Sequence, residues 1–311
     1  MERRHVIILG GGIAGLMLAR RLAGAARRGE CALTLLGAHA NLTLGPLLPA
    51  VATGQLPAHA AEVALAPACE RLGVQFVQGE VTRIDAPRRR VVLSSGTHRA
   101  YDQLVCALGA DRGAGAEPGA WVPTTAQDAR RLHLALLAPG EDGHLRDVLV
   151  LGEGRAAASM ARAIAAELRR RDAQVVLASA SARLLPEADE EARRRAETAL
   201  TDAGVRVYLH ANTADDDIAR WLGLRDPIVV ALPSGAPRSP LEGWPWPTDA
   251  SGAPKVSPAG EVLGAEDVWA VPTALPVEAL LAVTRVLARN LRRTLLANGA
   301  ARAGAPLPAF R

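Results

Sequence analysis

Aromatic residues are scarce in this chain: five tryptophans, two tyrosines and two phenylalanines in 311 residues. No stacking motif is interleaved with the arginines as a platform for bases would require, which argues against a nucleic-acid partner. Lysine is nearly absent. Lys255 stands alone, so almost all positive charge is arginine, and the net charge of +4 is spread along the chain. The runs Arg88-Arg89-Arg90, Arg169-Arg170-Arg171 and Arg193-Arg194-Arg195 fall in a turn or on helix faces and read as solvated surface. Cysteine is limited to Cys31, Cys69 and Cys106, with no CxxC and no metal-ligand spacing. Buried thiols in a cytoplasmic, reducing setting are expected, without a disulfide framework. No apolar run approaches the ~18 residues of a membrane span, and no secretory leader precedes the first strand. No Ser/His/Asp, metal or paired-carboxylate constellation stands out, and the seven histidines are scattered.

What remains is strongly patterned. Apolar residues make up 49% of the chain, enough for a full core, and the length suggests about two domains. Val6 to Leu9 read as a buried strand, and Leu16, Leu18, Ala19 and Leu22 recur with helical period. Between them Gly10, Gly12 and Gly15 have the G-x-G-x-x-G spacing. The first glycine allows a tight turn, the second lets backbone amides approach a pyrophosphate, and the third lets the helix pack close on the strand. Ile13 and Ala14 then offer the helix N-terminus to the phosphates. The plan repeats at Asp147 to Arg162, where Gly152, Gly154 and Ala157 occupy the three positions. An α/β chain of two Rossmann-like dinucleotide-binding domains is therefore expected.

Further segments carry a resemblance to a known family. Pro46-Leu47-Leu48 with Val51-Ala52-Thr53-Gly54, and Tyr101-Asp102-Gln103-Leu104-Val105-Cys106-Ala107-Leu108-Gly109, are similar to segments of type II NADH dehydrogenases and their sulfide:quinone oxidoreductase relatives. These are FAD-dependent pyridine nucleotide oxidoreductases. The resemblance implies that the second nucleotide domain is inserted in the first: 1–112 and 236–311 for FAD, 113–235 for NADH or NADPH. It implies FAD contacts at Pro46, Val81, Ala107 and Gly109 besides the first turn, and nucleotide contacts at Gly152, Gly154, Ala157 and Ser179. No side chain is assigned as a catalytic acid or base.

The departures from that pattern are specific. The acid that usually ends the second strand is missing, because Leu36-Gly37-Ala38-His39 stands there. Ser179 replaces the equivalent acid of the second domain, and with Arg183 it would suit a 2′-phosphate. Glu153 brings a carboxylate to the second turn, with Arg155 as the residue that would offset it. Ser159 stands where relatives hold a glutamate, and Pro272-Thr273 where they hold Gly-Asp. Two glutamines of the next helix are gone, which disfavours quinone reduction. The dispersed cysteines disfavour sulfide chemistry.

Secondary structure is expected as a helix over 62–72, short strands at 74–77 and 79–84, and a hairpin from 90–93 to 101–107. Helices are expected over 126–137, 187–203 and 276–297, and strands at 174–179, 204–209, 228–232 and 267–271. Segment 110–120 reads as a linker, and 233–258 as a Pro- and Trp-rich crossing. The basic helix at 276–297 is expected to pack on its own domain, a weak membrane-surface contact being the alternative. Two function classes follow. One is an FAD-dependent NAD(P)H oxidoreductase passing electrons to a small-molecule or protein acceptor. The other is a degenerate member with weakened cofactor binding that acts as a scaffold.

Overall fold

The computed structural model describes residues 3–109, 119–169, 171–186, 188–213, 217–232, 241, 243–249, 252–272, 275, 277–296 and 306. The chain opens with β1 (His5–Leu9), α1 (Ile13–Arg27), β2 (Ala32–Gly37), β3 (Asn41–Thr43), α2 (Leu48–Ala52), β4 (Glu62–Ala64) and α3 (Leu65–Leu72). There follow β5 (Gln75–Gln78), β6 (Val81–Asp85), β7 (Arg90–Leu93), β8 (His98–Ala100), β9 (Gln103–Cys106), α4 (Ala126–Leu137), β10 (Val148–Gly152) and α5 (Gly154–Leu168). The remainder is β11 (Val175–Ala178), α6 (Glu190–Ala203), β12 (Arg206–Tyr208), α7 (Ile218–Trp221), β13 (Ile228–Leu232), β14 (Val268–Ala270) and α8 (Val277–Leu296). These elements fold as two compact units, one of 1–42, 63–111 and 236–311, the other of 43–62 and 112–235.

The first unit is built on a parallel sheet of order β14-β9-β1-β2-β5. Val6, Ile7, Ile8 and Leu9 of its central strand are all fully buried, as a parallel strand covered on both faces requires. Ile7 and Leu9 share one core with Ile84, Val91 and Leu93 of an antiparallel meander, β6-β7-β8. Helix α8 packs beside α1. Its residues Ala279, Val283, Leu287, Leu291 and Leu295, four apart, are buried, while Arg285, Arg289, Arg292 and Arg293 face out. The apolar stripe of this basic helix is thus covered within its own unit.

The second unit repeats the plan with a parallel sheet of order β12-β11-β10-β13. The period-two alternation of β10 divides its residues between two cores. Val148 and Val150 join a cluster with Ala157, Ala161 and Ile164 of α5, and Leu149 and Leu151 join another with Leu224 and Ala231. Helix α4 begins with a capping box: Asp128 N–H donates to the Thr125 hydroxyl, and Thr125 N–H to the Asp128 carboxylate. Buried Asp147 accepts hydrogen bonds from Gln174 N–H and Arg225 N–H, both at 2.8 Å, and so ties the loop before β10 to the loops entering β11 and β13.

Four expectations need correction. The hairpin partner of β7 is β8, three residues that the sequence reading passed over. Tyr101 to Ala107 instead supply β9, which runs parallel between β1 and β14. Residues 62–64 are a strand, and the helix starts at Leu65, because Pro67 suits the first turn of a helix and not its interior. Helix α6 starts at Glu190, where Asp189 caps it by accepting from Ala192 N–H. The short α7 was not anticipated. Most of the expected linker (110–118), part of the 233–258 crossing, Thr273 and Pro276 lie outside the described residues.

Candidate functional site

In each sheet the strand order reverses beside the first strand of the unit, β1 or β10. Chains of this topology present their ligand crevice there, at the carboxyl ends of the strands. The glycine turns leave the sheet at those two points.

In the first turn the backbone itself dictates glycine at two positions. Gly10 has φ +112° and its N–H donates to Leu36 C=O at 2.7 Å. A Cβ on Gly10 would collide with the carbonyl of Ala107, and one on Gly15 with the carbonyl of Gly10. Gly12 differs. It is exposed, with φ −74° and ψ −177°, a conformation open to any residue, and a Cβ there would meet nothing within 4 Å. It is the N-cap of α1, with no side-chain cap and no acidic residue in the first turn. The leading amides of α1, at Ile13, Ala14 and Gly15, thus carry the positive end of the helix without a side-chain acceptor, beside open space. One flank is closed: a Cβ on Gly11 would lie 2.6 Å from Leu65 Cδ1, so the middle glycine makes room for α3. Three glycines in a row are the sequence signal for that contact. The turn therefore has the unpaired donors and the space that a dinucleotide diphosphate needs. No acid accompanies it at the end of β2, where exposed Ala38 and His39 stand.

The second turn has the same steric logic. A Cβ on Gly152 would lie 2.5 Å from the Leu232 carbonyl of β13, as Gly10 abuts Ala107, the residue after β9. Ala157 fits at the third position, its Cβ 3.2 Å from where a Cβ on Gly152 would be. Gly154 is buried and left-handed at φ +70°. Here the N-cap of α5 is Glu153, whose side chain accepts no capping bond, and exposed Arg155 forms no ion pair with it among the described residues. A carboxylate at the positive helix end opposes a diphosphate in the same place. Ser179 is buried just beyond β11, and its hydroxyl accepts from Ser181 N–H at 3.1 Å, closing a local turn.

The other sequence-predicted residues are distributed as follows. Val81 opens β6 and packs against the core that holds Leu9 and Leu36. Ala107 is buried, and Gly109 is exposed, left-handed at φ +72°, with open space around it. Pro46 is an exposed residue of the 3₁₀ turn before α2, in the second unit. In that unit Gly54 lies under the ring of His133, where a Cβ would be 2.6 Å from Cε1, a contact the sequence does not announce. All three cysteines are free and buried; burial raises the Cys31 and Cys69 thiols and pushes Cys106 well above the ordinary thiol range. No group of His, Cys, Asp and Glu able to hold a metal ion occurs among the described residues. Nor does any helix there have the length and apolarity to cross a membrane.

Residues 4–219 match the family of pyridine nucleotide-disulphide oxidoreductases. The chain belongs to this family. Sulfide-quinone reductase of Aquifex aeolicus is 29% identical over 114 residues, 37% of this chain and 26% of that protein, so the aligned stretch spans about a quarter of the relative. The crystal structure of sulfide:quinone oxidoreductase from Aquifex aeolicus superposes with a TM-score of 0.72 at 18% identity, covering 95% of this chain and 78% of that one. NADH:rubredoxin oxidoreductase from Clostridium acetobutylicum gives 0.74 at 16% identity, covering 100% and 79%. At such identities the superpositions establish a shared fold.

Proposed function

We propose that this chain is an FAD-dependent NAD(P)H oxidoreductase in which the first glycine turn holds the diphosphate of FAD and the second holds the reduced nicotinamide dinucleotide. The observation that carries this reading is the uncapped start of α1 beside the open face of Gly12. The flavin supplies the redox reactivity when bound. The chain's part is positional. The amides of Ile13, Ala14 and Gly15 would neutralise a diphosphate, and Ala107 shapes the turn through Gly10. Val81 and Gly109 would line the dinucleotide, Pro46 would lie beside the flavin ring, and Gly152, Gly154, Ala157 and Ser179 would receive the second nucleotide. No side chain is assigned as acid or base, and the electron acceptor is a small molecule or a protein.

A second reading has its own observation. Glu153 caps α5 without an offsetting ion pair, and neither β2 nor β11 is followed by a ribose-binding acid. A degenerate member that keeps the architecture and serves as a scaffold would look this way. The purified protein separates the two. A flavin spectrum that bleaches on addition of NADH or NADPH supports the oxidoreductase. A colourless protein that takes up no added FAD overturns it in favour of the scaffold.

A further inference from the structure

Between α1 and α8 the first unit carries an open basin of about 600 Å³ lined by Arg21, Arg285, Arg289, Arg292 and Arg293, with Ala288 and Leu296 as its apolar part. We propose that this arginine basin is a binding site for a soluble, multiply charged phosphate ligand, of the chemistry of an inorganic oligophosphate. Its guanidiniums are unequally engaged. Arg292 pairs with Glu30 at 3.2 Å, and the same carboxylate also takes Arg28 at 2.6 Å. Arg21 is held in place by α8, donating to Thr284 Oγ1 at 3.4 Å and to Leu281 C=O at 3.2 Å. Arg285, Arg289 and Arg293 have no carboxylate partner among the described residues. Of the five lining guanidiniums, only that of Arg292 has a carboxylate partner among the described residues, and it shares that partner with Arg28.

The electrostatics agree with that count. Burial, then the neighbouring charges of Arg285 and Arg20, lower the pKa of Arg21, so like charges are among its neighbours. Guanidinium forks match phosphate oxygens two at a time, and an arginine-only cluster favours that pairing over a single point charge. Volume and shape choose between ligands. About 600 Å³ lies in the range of small-ligand clefts. A lipid surface would require an apolar face to insert, but the apolar stripe of α8 is spent on α1, and only Leu281 and Leu296 stand exposed among its leucines. Arg21 lies eight residues beyond Ile13, about 12 Å along α1 from the first glycine turn, and the proposal invokes neither flavin nor nicotinamide.

The test uses inorganic triphosphate and, separately, vesicles containing phosphatidylglycerol, each titrated at low ionic strength. The full-length protein is compared with Arg289→Gln/Arg293→Gln, two exposed positions whose loss leaves the core intact, as a melting curve verifies. Triphosphate is expected to bind the parent, to weaken with added salt, and to bind the variant about tenfold or more weakly. Triphosphate that binds parent and variant alike, or binds neither, overturns the proposal. Vesicle capture that depends on these arginines, without triphosphate binding, also overturns it and assigns the surface to a membrane.

Discussion

Gly12 and Gly15 belong to one turn, yet their substitution should fail in different ways. Gly12→Val is expected to cost no more than about 1 kcal/mol, the loss of a tolerated N-cap residue at an exposed site, while filling the approach to the diphosphate. Urea denaturation should therefore change little while added FAD no longer binds. Gly15→Ala forces a methyl against the Gly10 carbonyl and should cost about 1–3 kcal/mol or more by the same measurement. In the second turn, Glu153→Gln removes a carboxylate from a helix N-terminus that would receive phosphate. Titration with NADPH should show tighter binding than the parent, and weaker binding would reverse the role given to Glu153. Tyr101, 4% exposed, is the residue with a pH signature. Burial raises its phenol from 10.0 to about 12, opposed by Arg89 and reinforced by Cys106 and Asp85. The folded state holds that proton longer than the unfolded chain does. Its contribution is complete below about pH 10 and is lost as pH climbs towards 12, on the order of 2 kcal/mol. Tyr101→Phe should flatten the alkaline limb of a stability–pH curve.

At the level of elements, Asp147 is where the second sheet is pinned. Asp147→Ala would remove the acceptor of the part-buried bonds from the Gln174 and Arg225 amides, hydrogen bonds to a charged group worth about 1.5–3 kcal/mol each. Chemical denaturation should read a loss of several kcal/mol; a loss below about 1 kcal/mol would mean that water replaces the carboxylate. Such pins are not visible in a linear sequence, but the elements they join largely are. The strand–glycine–helix units at 6–22 and 147–162 were legible because apolar runs, turn chemistry and helical periodicity agree there. The hairpin differs from expectation because His98 to Ala100 lack the apolar character of a strand, while Leu104 to Ala107 form a continuous apolar run. Local pattern identifies a strand, but pairing with β1 and β14 is set by the whole sheet. The start of α6 shifted for a different reason. Acidic residues begin at Glu187, but the capping geometry selects Asp189.

For the whole molecule, the shortage of cysteine acquires a measurable meaning. All three thiols are buried, so a thiol-reactive chromophore should label none of them in the native protein and all three after denaturation. Rapid native labelling would show that a core opens. The arginine basin was beyond sequence reading, because Arg21 and Arg289 share a cavity only when α1 meets α8. The same distance along the chain governs the glycine turns. Gly10 takes its shape against Ala107, and Gly152 against Leu232, so each turn is completed by a strand made much later. During synthesis, each glycine turn leaves the ribosome long before its partner carbonyl exists. The first turn could grip a nucleotide only after β9, and the second only after β13, had emerged and docked. Each cradle is thus finished by chain made well after the glycines themselves.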